Sequence, residues 1–101
     1  MMDSYFPIGT VIQTKGSIIQ FMIIGYNYKK DGKVYDYVSV VHPVGITYVE
    51  KEVNFNIAAF NQEDVDKVYF VGYLDEKVYA IINHNRNIST ARKKREENKN
   101  D

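Results

Sequence analysis

A chain of 101 residues can build one domain around a single modest core. Hydrophobic residues make up 45% and charged residues 26%, which excludes a disordered composition, and the thirteen basic residues cancel the thirteen acidic ones. That balance leaves no global field favouring nucleic acid or membrane, and the absence of cysteine excludes disulfides, thiolate metal sites and thiol catalysis. A cysteine-free chain suits a reducing cytoplasm.

Met1-Met2-Asp3-Ser4 has no basic n-region, and the longest strongly apolar run is Phe21 to Ile24. That run is far short of the roughly 20 residues that span a bilayer. The sequence therefore predicts a soluble protein that stays in the cytoplasm. Pro7 and Gly9 punctuate the entry, and Thr10 to Lys15 reads as a short β-branched strand. After the Lys15-Gly16-Ser17 turn signal, Ile18 to Tyr28 is a long strand with Gly25 as its bulge or twist point.

Asp31-Gly32 is a preferred two-residue hairpin turn, because both central positions need positive φ. It sets Lys30 against Lys33, Tyr28 against Tyr35, Tyr26 against Tyr37 and Ile24 against Ser39. Alternation then places Tyr26, Tyr28, Tyr35 and Tyr37 on one face of the ribbon. The opposite face is polar near the tip, with Lys29, Asn27 and Asp36, and apolar below. The ring-bearing face has two readings. It packs inside the domain, since Tyr buries its ring and keeps its hydroxyl at the edge, or it binds a partner through rigid aromatic area. Base stacking would need basic neighbours; Lys29, Lys30 and Lys33 supply them, but Asp31 and Asp36 dilute them.

The return strand runs from Val34 to His42 and ends at Pro43 and Gly45. Ile46 to Val49 is a brief strand candidate, and Glu50-Lys51-Glu52 a charged loop. Asn61 suits the cap of a single helical turn, with Phe60 and Val65 at hydrophobic-staple spacing. Glu63, Asp64 and Asp66 then read as helix-start chemistry in preference to a metal site. Val68 to Gly72 is the next strand. Leu74, Val78, Ile81, Asn85 and Ile88 recur at helical spacing, which predicts a helix from about Asp75 to His84. From Ser89 the apolar content almost vanishes. The predicted organisation is one globular domain over 1–88 and a charged, disordered tail over 89–101.

Little in the chain looks like catalysis. His42 and His84 stand in no metal-ligand spacing, and there is no P-loop, nucleophile elbow or Gly-x-Gly-x-x-Gly. Arg92-Lys93-Lys94-Arg95 is followed at once by Glu96 and Glu97, the pattern of a solvated helix end. The expectation is a protein that is not an enzyme and holds no metal or cofactor.

Several motifs together resemble a known family. Phe6-Pro7-Ile8-Gly9-Thr10-Val11, Lys15-Gly16 and Met22-Ile23-Ile24-Gly25-Tyr26 are similar to its N-terminal half. Val34-Tyr35-Asp36-Tyr37-Val38 with His42-Pro43-Val44-Gly45, and the block from Phe60 to Tyr73, resemble its later segments. The family is a small uncharacterised-domain family of Gram-positive bacteria, often encoded in type VII secretion (WXG100/LXG toxin) loci. Val44 stands where the family usually carries Glu, and Tyr48 to Asn56 is less typical. The resemblance implies a cytoplasmic protein-binding accessory, a chaperone or adaptor for a secreted LXG-type toxin, and supplies no catalytic residues. A small single-stranded nucleic-acid-binding barrel and a toxin-blocking immunity protein are the alternatives. The expected fold is α+β: a bent antiparallel sheet of about five strands, an SH3-like barrel being one form, closed by a C-terminal helix.

Overall fold

The computed structural model describes residues 5–49, 52–54 and 57–99. The strands are β1 (Val11–Thr14), β2 (Gln20–Lys30), β3 (Lys33–Val41), β4 (Thr47–Val49), β5 (Glu52–Asn54), β6 (Ile57–Phe60) and β7 (Val65–Phe70). A 3₁₀ turn, Gln62–Asp64, precedes β7, and one α-helix, α1 (Glu76–Lys99), follows it among the described residues. Five strands form one antiparallel sheet in the order β6-β3-β2-β1-β7, while β4 and β5 pair separately. This is the expected α+β architecture with an open sheet: β6 and β7 are its edges among the described residues.

The hairpin forms on the predicted turn, with φ of 52° at Asp31 and 80° at Gly32. Its outer rungs follow the predicted register: Lys30 faces Lys33, Tyr28 faces Tyr35 and Tyr26 faces Tyr37. The inner register differs from expectation. Ile23, not Ile24, faces Ser39, because the ladder slips between Ile23 and Gly25 and leaves Ile24 as the extra residue. Gly25 permits this fit, since a Cβ there would lie 2.8 Å from Val38 Cγ1. Of the predicted charged loop, Glu52 begins β5; Glu50 and Lys51 lie outside the described residues.

The core gathers Tyr5, Phe6, Ile12, Ile23, Tyr37, Phe60 and Ile82, with Phe21, Tyr26, Val65 and Val78 packed against it. Phe60 and Val65 flank the 3₁₀ turn in this cluster, as the staple spacing suggests. The segment before β1 is seated by Gly9 N–H donating to Ile23 O at 2.8 Å. Gly72 then passes so close to Ile8 that a Cβ would meet its carbonyl oxygen at 2.2 Å, while its N–H donates to Thr10 Oγ1 at 3.0 Å.

Asp75 starts α1 by accepting the Val78 N–H at 2.8 Å through its carboxylate. The helix corrects the sequence expectation at its other end. It runs on to Lys99 instead of stopping near His84, and Ser89 and Arg92, assigned to a disordered tail, are buried. The reason is a docking site that composition does not reveal, a buried carboxylate on β3.

Candidate functional site

Asp36 is fully buried, and its carboxylate accepts from five donors. Oδ1 takes the Tyr5 hydroxyl at 2.6 Å, the Ser89 hydroxyl at 2.6 Å and Arg92 Nη2 at 3.1 Å. Oδ2 takes the Gln62 N–H and Lys93 Nζ, both at 2.8 Å. Burial alone would raise the carboxyl pKa, but the Gln62 N–H, Lys93, Ser89 and Tyr5 outweigh it and hold the group down at about 2. A neighbouring rung helps: Asn27, at φ 48°, donates to Asn85 O and Oδ1 at 3.1 Å and accepts from Arg92 Nη1 at 3.4 Å. Asn85 to Lys93 spans about 12 Å of helix at 1.5 Å per residue. All these partners converge on adjacent positions of β2 and β3, so α1 crosses those strands and does not run along them.

The predicted tyrosine face is split by this arrangement. Tyr37 is fully buried; its hydroxyl accepts the Phe6 N–H at 2.9 Å and donates to Gln62 Oε1. Tyr26 is half-buried and donates to Phe6 O at 2.7 Å. The Tyr5 ring lies 5.1 Å from Tyr37 and 6.0 Å from Tyr26, completing an aromatic cluster. Burial pushes the hydroxyls of Tyr5 and Tyr37 well up and that of Tyr26 up to about 12, so all three are neutral at neutral pH. Tyr37 is therefore a core residue and Tyr26 packs half-buried against the core, so the inner rung of the predicted contact face is largely covered. Tyr28 is exposed and Tyr35 half-buried at the tip, where Lys33 Nζ lies 5.3 Å from the Tyr35 ring centre.

A different surface is exposed at the far edge of the sheet. Val68, Tyr69, Phe70, Val71, Tyr73 and Leu74 are all exposed, Phe70 at 62% and Tyr73 at 76%. β7 pairs only with β1 among the described residues, and that pairing slips at Asp66 and at Tyr69. Bulges and the charges of Asp66 and Lys67 protect the start of this edge; Val68 to Val71 carries no charge at all. Between β7 and α1 lies an open groove of about 740 Å³, floored by Tyr5 and Phe6 and walled by Val65 and Val68 on one side and Arg86 and Lys93 on the other.

The acidic residues bear out their helix-start reading only locally. The Asp64 carboxylate accepts the Asn61 N–H at 2.9 Å, whereas the Asn61 side-chain oxygen accepts the Asp36 N–H at 3.0 Å. Among the described residues no group of three or more His, Asp or Glu is placed to hold a metal ion, and no helix is long and apolar enough to cross a membrane.

An open five-stranded antiparallel sheet strapped by one long helix defines an α+β domain with an aromatic core and an apolar sheet edge. Residues 5–81 match the model of a domain of unknown function, DUF4176, and the chain belongs to that family. No curated protein and no solved structure matches it.

Asp36 is the residue that sequence reasoning missed. Its signal was present: a lone acidic side chain between two tyrosines on a strand, in a chain whose last third carries a basic cluster. The exposed edge was also missed, because Val68 to Gly72 reads as an ordinary strand until its neighbours are known.

Proposed function

We propose that this domain is a non-catalytic protein-binding module, a cytoplasmic chaperone or adaptor that holds a secreted type VII effector of the LXG class in an export-ready state. The observation that carries this reading is the uncharged, exposed run Val68 to Val71 on the sheet edge, next to an open groove. An extended segment of the effector pairs its backbone with β7, and alternate side chains enter the groove over Tyr5 and Phe6. Contiguous exposed apolar surface on a small domain marks such contact sites. The type VII assignment comes from the family resemblance, as does a Gram-positive origin.

Co-expression with a candidate LXG-class effector is the test. Tyr69→Lys with Phe70→Lys removes co-purification while circular dichroism stays unchanged; retention of the complex would contradict the edge-pairing mechanism. An immunity role differs in one outcome, protection of cells from the mature toxin when secretion is disabled.

A second reading is favoured by the hairpin tip, which carries Lys29, Lys30 and Lys33 together with Tyr28 and Tyr35. Of these, Lys33 lies over the Tyr35 ring while Lys29 belongs to the opposite face of the ribbon; the rings would stack bases and the lysines neutralise phosphates of single-stranded nucleic acid. Binding of a labelled oligonucleotide that weakens steeply with salt supports it, and no binding near physiological salt removes it.

A further inference from the structure

We infer that the second half of α1, residues 87–97, is a latch that forms one wall of the groove and is held by the Asp36 carboxylate, not by apolar packing. The consequence for partner binding rests on the groove being the contact site; the latch itself is a property of the free chain.

Ile82 is the last buried apolar residue of the helix. Beyond it, Ile88 is 43% exposed and Ala91 is exposed, and the buried positions are Ser89 and Arg92, both bonded to Asp36. Lys93 adds a third link to Asp36 at 2.8 Å and reaches Glu63 at 3.4 Å, tying the helix to the 3₁₀ turn at the groove's rim. A helical segment this short does not hold itself in water without tertiary anchors. Its anchors here are one hydroxyl and two cationic groups on one buried acceptor.

Such an attachment differs from an apolar one. The attraction between buried ions is largely offset by the water each gives up on docking, so docked and released states lie close in free energy. Removing the one shared acceptor, by contrast, leaves Arg92 with only its 3.4 Å contact to Asn27 and Lys93 with only its 3.4 Å contact to Glu63. Release would carry Ser89, Thr90 and Lys93 out of the groove wall and open the floor at Tyr5 and Phe6. The first half of α1 would remain, because Val78 and Ile82 pack in the core. The groove's shape is thus set by a switchable contact, and a partner filling the groove favours the closed latch.

Deuterium exchange on the full chain, free of any partner, tests this. In Asp36→Asn the amides of residues 87–94 exchange about tenfold faster while those of 79–84 and of β2 are unchanged. Unchanged exchange over 87–94, or an equal rise across the sheet in a folded protein, would overturn the inference. Should Asp36→Asn lose its tyrosine near-ultraviolet dichroism through misfolding, Arg92→Gln decides the matter. It removes the Arg92 links to Asp36 and Asn27 and substitutes no strand residue; selective acceleration over 87–94 supports the latch, whereas no change overturns it. Because no partner enters either measurement, failure of the latch is separate from failure of the binding reading.

Discussion

Tyr37 and Tyr35 sit two residues apart on one strand, with their side chains on the same face, yet one is fully buried and the other half-buried. The opposite strand shows the same gradient, with Tyr26 half-buried and Tyr28 exposed. Ribbon chemistry is the same at both levels. What differs is the third element: Tyr5 packs on the inner pair and Phe6 and Gln62 bond its hydroxyls, and among the described residues nothing comparable is bonded to the outer pair. Alternation decides which side chains share a face, and distant segments decide whether that face is buried.

The comparison can be broken at its strong end first. Tyr37→Ala should cost about 3–5 kcal/mol, read from urea unfolding, because it empties the centre of the aromatic cluster. Tyr37→Phe keeps the ring but strands the Phe6 N–H and Gln62, at a cost of about 1–3 kcal/mol. If either variant were neutral, the inner rung would not be core.

Alkaline titration sharpens the same contrast. Tyr26 in the folded chain keeps its proton up to about 12, against 10.0 ordinarily, so the folded state holds protons that the unfolded state has released. Its contribution is complete below pH 10 and is lost as pH rises towards 12, so unfolding by urea should become easier over that window. In acid the sign reverses. Asp36 is held at about 2 against 3.8, so its contribution is complete above pH 3.8 and is lost as pH falls towards 2. The Asp36→Asn variant should show a shallower acid limb than the parent protein. The weakest effect belongs to the outer rung: Tyr35→Ala should change stability by less than about 1 kcal/mol.

Much of the fold could be read from local chemistry. The Asp31-Gly32 turn, the outer register and the 3₁₀ turn before β7 follow from residue types that demand those backbones. Misreadings arose where a distant contact decided the outcome. Ile24 became the bulge residue because Gly25 approaches Val38, a packing fact that spacing cannot show. The tail was read as disordered because residues 89–99 lack apolar content, and its anchor is polar: a carboxylate on β3 whose burial depends on Tyr5 and α1 meeting it. The site fared worse than the fold. The tyrosine face grades from fully buried Tyr37 to exposed Tyr28, and the exposed edge at Val68 to Val71 becomes visible only once β7 is known to be outermost.

The measurement that bears most directly on the account is amide exchange of the domain with and without the proposed LXG-class partner. Edge pairing predicts new protection concentrated on Val65–Phe70, with the hairpin tip at 28–35 unchanged. Protection confined to the tip, or complex formation that leaves β7 exchanging as before, would contradict it.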